Sequence, residues 1–218
     1  MRRAAILAMG LVLVVSGCGG KDAQRSATQA AAPSMPAGFA VRHVPDHGFS
    51  IALPKQWESL DAREALNSDA MKRFRKVNPA LGSQVEALTL PDSPIKLIAL
   101  APNKQGGFLT NLNVLVTELP ADVSYDEWSS SEVAEIEKVP TVTGLRKEET
   151  QLSTGRALHV TYRAAFNRPN GRFVALVHQY LVKDDGSLYV LTYTTTPRLE
   201  PRLGKVFEQS ARTFRLTG

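Results

Sequence analysis

The 218-residue chain contains a single cysteine. No intramolecular disulfide can form, and cysteine-based zinc sites and Cys-x-x-Cys redox chemistry are excluded with it. Long apolar runs are also missing. The longest covers residues 4–15, twelve positions, against the roughly 20 that a helix needs to cross a bilayer core. Dense basic clusters are absent. Lys72-Arg73-Phe74-Arg75-Lys76 comes closest, and a solvated helix face accounts for it, so no nucleic-acid partner is expected. The catalytic motifs Gly-x-Ser-x-Gly, His-Glu-x-x-His and the phosphate-binding Walker loop do not occur. Gly106-Gly107 lacks the helix-opening context of a phosphate loop. Asp184-Asp185-Gly186 reads as a hairpin turn, because the other ligands of a calcium loop are missing.

What is present divides the chain into three parts. Residues 1–18 carry the features of an export signal: Arg2-Arg3, the apolar run, then the small residues Ser16-Gly17 before Cys18. Residues 19–38 are rich in Gly, Ala, Ser, Gln and Pro, with no large apolar residue before Met35. Such a segment buries too little surface to offset its ordering entropy, so a disordered tether is expected. Residues 39–218 have the composition of one globular domain. The formal charge of +5 includes Arg2 and Arg3; without them it falls to about +3, too weak to define a partner by charge.

Val15-Ser16-Gly17-Cys18 resembles the lipobox of bacterial lipoproteins. That resemblance implies cleavage before Cys18, acylation of Cys18 and anchoring to the membrane through lipid, with the domain extracytoplasmic. The anchoring membrane, cell or outer, is left open.

Within the domain, Phe49-Ser50-Ile51-Ala52-Leu53 alternates as a strand. Pro54 stops it, and Trp57 follows as a large aromatic plug. The block from Gly48 to Trp57 is similar to the entry of the PsbP/Mog1-like superfamily, which includes bacterial lipoproteins of the LpqN type. The resemblance implies an α/β/α sandwich and binding or assembly roles more often than catalysis. Further along, residues 61–77 read as a helix with Asp61 at its N-cap and Glu64 three residues on. A short helix is expected at 80–88. Residues 95–101, closed by Pro102, and 109–119 form a hairpin. Residues 122–138 form a helix in which Ser124 and Glu127 make a second capping pair. Strands at 142–149 and 153–166 precede two hairpins closed by Asn170-Gly171 and Asp185-Gly186. An amphipathic helix at 197–211 follows. The expected class is α+β, a central antiparallel sheet flanked by helices.

Four histidines are the first suspects for chemistry. His43 and His47 are separated by Pro45, so a helical metal-binding pair is not expected. A turn at 168–171 sets Thr161 opposite His178 and His159 opposite Tyr180. A turn at 183–186 sets Tyr180 opposite Tyr189, His178 opposite Leu191 and Leu176 opposite Tyr193. Alternation then gathers His159, Thr161, Arg163, His178, Tyr180, Tyr189, Leu191 and Tyr193 on one face. The other face carries Leu158, Val160, Tyr162, Val177, Leu181 and Val190. One reading is that a helix covers the polar–aromatic face. The other is a groove for a ligand or partner. No Asp or Glu is expected on that face, so acid–base catalysis is not expected, nor is a metal or cofactor. The function expected is a non-enzymatic lipoprotein that binds a protein or envelope component. The alternative is a small-molecule carrier using the polar–aromatic face.

Overall fold

A computed structural model describes residues 35–61, 69, 72, 76, 93–105, 108–119, 122–168, 171–184 and 186–217. Residues 1–34, with the expected export signal, Cys18 and most of the expected tether, lie outside the described residues, as do the helix expected at 80–88 and most of the one expected at 61–77. Within that last range, Asp69, Lys72 and Lys76 are helical.

Two antiparallel sheets are built from ten described strands. The first joins β1 (Phe39–Val44), β2 (Phe49–Pro54) and β10 (Arg215–Leu216), with β2 in the middle. The second runs β3–β4–β5–β9–β8–β7–β6. Its strands are β3 (Glu58–Asp61), β4 (Ile95–Gln105), β5 (Phe108–Glu118), β6 (Val142–Leu152), β7 (Gly155–Arg168), β8 (Gly171–Asp184) and β9 (Ser187–Thr195). A 3-10 turn at Pro45–His47 joins β1 to β2, and two α-helices described over their full length complete the order, α1 (Tyr125–Glu137) and α2 (Glu200–Arg212). Neither is long and apolar enough to cross a membrane.

Each face of the large sheet has its own core. On one, Ile95, Ile98, Leu115, Leu158, Val160, Leu181 and Val190 pack with Trp128, Val133 and Ile136 of α1. On the other, Leu97, Leu112, Tyr180, Leu191 and Tyr193 pack with Phe207 and Ala211 of α2 and with Phe49, Ile51 and Leu53 of β2. The layers are therefore α1, large sheet, then α2 beside the small sheet. This is the expected α+β sandwich with a second sheet added, because the chain end returns as β10 beside β2.

Local chemistry explains most boundaries. Ser124 caps α1: its hydroxyl accepts from the Glu127 N–H, while the Glu127 carboxylate accepts from the Ser124 N–H. Gly48, with φ of +64°, takes the left-handed turn between β1 and β2. Two expectations are corrected. Asp61, expected to open the helix at 61–77, is the last residue of β3, paired with Leu97. Pro102 does not end β4; the ladder to β5 absorbs it in a register shift between Leu100 and Lys104, as a proline in a sheet requires.

Candidate functional site: the polar–aromatic face under α2

The hairpin of β7 and β8 closes at Arg168↔Gly171, so His159 faces Tyr180 and Thr161 faces His178, as the turn chemistry predicts. The next hairpin closes one residue later than expected, at Asp184↔Ser187. Gly186, φ +81°, sits inside this turn. The partners consequently slide by two residues. His178 faces Tyr193 and Tyr180 faces Leu191, while Tyr189 faces Val182 and Leu176 faces Thr195. A two-residue slide preserves the side-chain face, so the expected residues still share one side of the sheet.

Most of that side is interior. Tyr193 is fully buried, and Tyr180, Tyr189, Leu191 and His178 are buried as well. The Phe207 ring of α2 stacks on Tyr193 at 4.9 Å and meets His178 edge-on at 5.5 Å. Thr161 is half-buried and Arg163 exposed, so both lie at the margin of the helix-covered area. Where a ligand groove was the alternative, α2 occupies the face.

The helix is tied down by polar bonds as well as rings. β10 pairs only with Phe49 and Ser50 of β2, leaving the main chain of Ala52 beyond its end. Two side chains take over. The Ser210 hydroxyl donates to the Ala52 carbonyl at 2.8 Å, and the Ala52 N–H donates to the Thr213 hydroxyl at 2.8 Å. Tyr193 completes the chain by donating its hydroxyl proton to Ser210 at 2.8 Å. Burial pushes the Tyr193 phenol well above its ordinary range, so it remains a donor.

The face also holds a carboxylate, contrary to expectation. β6 and β7 close at Leu152↔Gly155, which sets Glu148 opposite His159. Glu148 Oε1 lies 2.9 Å from His159 Nδ1, and His159 Nε2 lies 3.2 Å from His178 Nδ1. A carboxylate only accepts, so His159 Nδ1 carries the proton and donates. With neutral rings, His159 Nε2 then accepts from His178 Nδ1–H. That leaves His178 Nε2 as a bare lone pair, buried without a partner. His159 also stacks on Tyr180, with ring centres 4.3 Å apart and planes parallel. Burial, and secondarily the repulsion a protonated His159 would exert, pull His178 from an ordinary 6.5 down to about 4. His178 is therefore neutral at physiological pH.

Chemically, this is a carboxylate–imidazole–imidazole relay that ends against an aromatic ring. It aims no nucleophile at a cleft. Among the described residues, no group of three or more His, Cys, Asp or Glu side chains is placed to hold a metal ion. The register that places Glu148 is set by the β6–β7 turn, where Gly155 takes φ of +117°, and the sequence does not single out that glycine from Ser153 and Thr154 beside it.

A second region lies where strands from the two sheets approach each other. A cleft of about 250 Å³ is lined by Val41, Arg42, His43, Val44, Pro45, Asp46, Ser59 and Leu97. His43 thus borders a cavity.

No protein-family model matches the chain, and no curated protein sequence matches it. Solved structures do. The cyanobacterial PsbP protein of Synechocystis is similar with a TM-score of 0.53 at 11% identity, over 93% of this chain and 98% of that one. The Ran-binding protein Mog1p of Saccharomyces cerevisiae gives 0.50 at 10% identity, over 84% of this chain and 96% of that one. LpqN of Mycobacterium tuberculosis, described as involved in cell envelope biogenesis, gives 0.47 at 10% identity, over 78% and 83%. The chain has a PsbP/Mog1-like fold. At these identities the likeness concerns the fold and not the activity.

Proposed function

We propose that the protein is a non-enzymatic lipoprotein of the cell envelope, anchored through lipid on Cys18, whose domain binds a protein or envelope component. The observation that carries this reading is the order Val15-Ser16-Gly17-Cys18, low-complexity segment, compact domain. An exported chain with one cysteine at the end of an apolar run has a use for that cysteine in acylation. Several acyl chains on one residue hold a membrane firmly, where one chain alone binds marginally. The binding role is supported by the fold, which is shared with a protein named for binding Ran. It is supported too by the closed polar–aromatic face, whose rings serve to dock α2 instead of a small molecule.

The anchoring half is tested by the mass of the mature N-terminal peptide. The expected result is a peptide beginning at Cys18 and carrying added acyl mass, with the chain released from membranes by Cys18→Ala. An unmodified cysteine overturns it. The binding half is tested by cross-linking intact envelopes and recovering the chain. Reproducible capture of the same partner, lost on addition of excess purified domain, supports it; recovery of the chain alone overturns it.

A further inference from the structure

β1 is an end strand of the small sheet and β3 an end strand of the large one. A sheet edge presents a row of main-chain N–H and C=O groups that the ladder does not use. The two remaining edges are handled differently. β10 is only two residues long. β6 carries Arg146, Lys147, Glu148 and Glu149 along an exposed stretch, the charged pattern that discourages edge-to-edge pairing. Over Phe39–Val44, β1 is longer than β10 and carries one charged side chain, Arg42, in place of the run of charges on β6, and it exposes Val41.

The cleft lies beside this strand. Val41, Arg42, His43 and Val44 all line it. Successive side chains of a strand point to opposite faces, so four consecutive lining residues mean that the cleft meets β1 edge-on. Ser59 of β3 and its neighbour Leu97 of β4 form the opposite wall. The cleft falls below the roughly 300–1,000 Å³ of drug-sized ligand pockets, but a strand laid along an edge needs only width. Arg42 supplies a direction for charge. Its Nε is buried and has no hydrogen-bond partner, and a buried guanidinium donor left unmatched is costly. A carboxylate is the acceptor that fits it best. Asp46, the one acid lining the cleft, is exposed at its rim.

We propose that this cleft is a docking site for an extended segment of a partner protein, which adds as a strand to the edge of β1 that no described strand pairs and places an acidic side chain on Arg42. The inference rests on the binding function proposed above and gives it a place and a partner chemistry. Main-chain bonds to β1 would supply affinity, and the Arg42 pair would fix the register of the incoming strand.

The test uses the full chain, labelled with ¹⁵N, in mild detergent. The probes are three capped seven-residue peptides of alternating Thr and Val with Glu, Gln or Lys at the centre. The Glu peptide is expected to shift the Val41–Val44 and Ser59 amides and the Arg42 Nε–H resonance. It should bind at least tenfold more tightly than the Lys peptide, and Arg42→Gln should remove that preference while leaving the spectrum of the fold unchanged. Shifts elsewhere, or equal binding of the Glu, Gln and Lys peptides, overturn the proposal; the wild-type shifts decide this even if the variant fails to fold. The cross-linking capture separates the two levels. Equal partner capture by wild type and Arg42→Gln overturns this site and leaves the binding function standing. Capture of nothing by wild type overturns both.

Discussion

The two faces of the large sheet hold their helices by different physics. Under α1 the sheet is aliphatic, and the helix sits on Ile, Leu and Val with Trp128, Val133 and Ile136 pointing inward. Under α2 the sheet offers Tyr180, Tyr193, His159 and His178, and the helix answers with Phe207, Ser210 and Ala211. Burial of apolar surface is non-directional, and the directional contacts of α1 lie at its first turn, where Arg156 pairs with Asp126 and sits over the Tyr125 ring. Rings and hydrogen bonds are directional. On the α2 side they fix the helix in one position and link it to the small sheet through Ala52. Removing parts of each face should therefore have unequal consequences, and the unequal losses test the comparison.

The largest loss is expected at Phe207. Its ring contacts Tyr193, His178 and Trp57 and is fully buried. Phe207→Ala should cost about 3–5 kcal/mol, the range for a buried aromatic truncation, read by denaturant unfolding. It should also expose His178, bringing its titration back toward 6.5 in NMR. A loss below about 1 kcal/mol would mean that α2 is not held by this ring.

The relay gives the α2 face a pH dependence opposite in sign to that of the α1 face, where burial raises the Glu132 carboxyl and favours the folded state at low pH. The folded state holds His178 near 4, while the unfolded chain protonates it near 6.5. Between these values the unfolded state binds the extra proton, so stability falls as pH drops from about 6.5 to about 4 and is flat above. The expected span is about 2–3 kcal/mol, at roughly 1.4 per pH unit. Groups facing the relay are Glu148 from β6, Tyr180 from β8, and Glu208 and Arg212 of α2, whose charges act on Tyr180. His178→Phe should flatten this window. An unchanged slope in the variant would assign the acid sensitivity to other groups.

A smaller effect is expected from Tyr193→Phe. The ring contacts remain and one hydroxyl bond to Ser210 is lost, so the cost should be near 1 kcal/mol. Ser210 keeps its bond to Ala52, and the variant should keep the α2 position. If Tyr193→Phe costs as much as Phe207→Ala, the hydroxyl chain and not the ring stack is what fixes the helix.

These faces were legible in the sequence to different depths. Membership of a face depends only on the parity of strand positions. It survived even though the β8–β9 turn closes at Asp184↔Ser187 and the cross-strand partners moved by two. Partner identity depends on the turn to a single residue, and Asp-Gly in a run of polar residues allowed two placements. Glu148 was invisible for a related reason. Its place beside His159 is set by the β6–β7 turn, which Ser153, Thr154 and Gly155 all suit. The cleft beside β1 was hidden altogether, since it joins Arg42 to Ser59 and Leu97 across two sheets. No periodicity links those positions. Local signals fared best where the chemistry is local, as in the Ser124–Glu127 pair.

That pair supplies the smallest test and belongs to the aliphatic face. Ser124 joins the first turn of α1 by accepting from the Glu127 N–H, and it donates its own hydroxyl proton to the Glu127 carboxylate at 2.8 Å. The bonds it accepts from the Ser124 hydroxyl and then from the Ser124 N–H hold the Glu127 carboxyl below its ordinary range. Ser124→Ala removes the cap and should cost about 1 kcal/mol. The loss should appear as faster hydrogen exchange in the first turn of α1 with no change at α2, because the cap touches nothing in the polar–aromatic network. Ser210→Ala, which also removes one hydroxyl at a helix, should do the opposite and loosen both α2 and β2 through Ala52. If both variants loosen only their own helices, the directional coupling assigned to the α2 face is absent, and the two faces differ in composition alone.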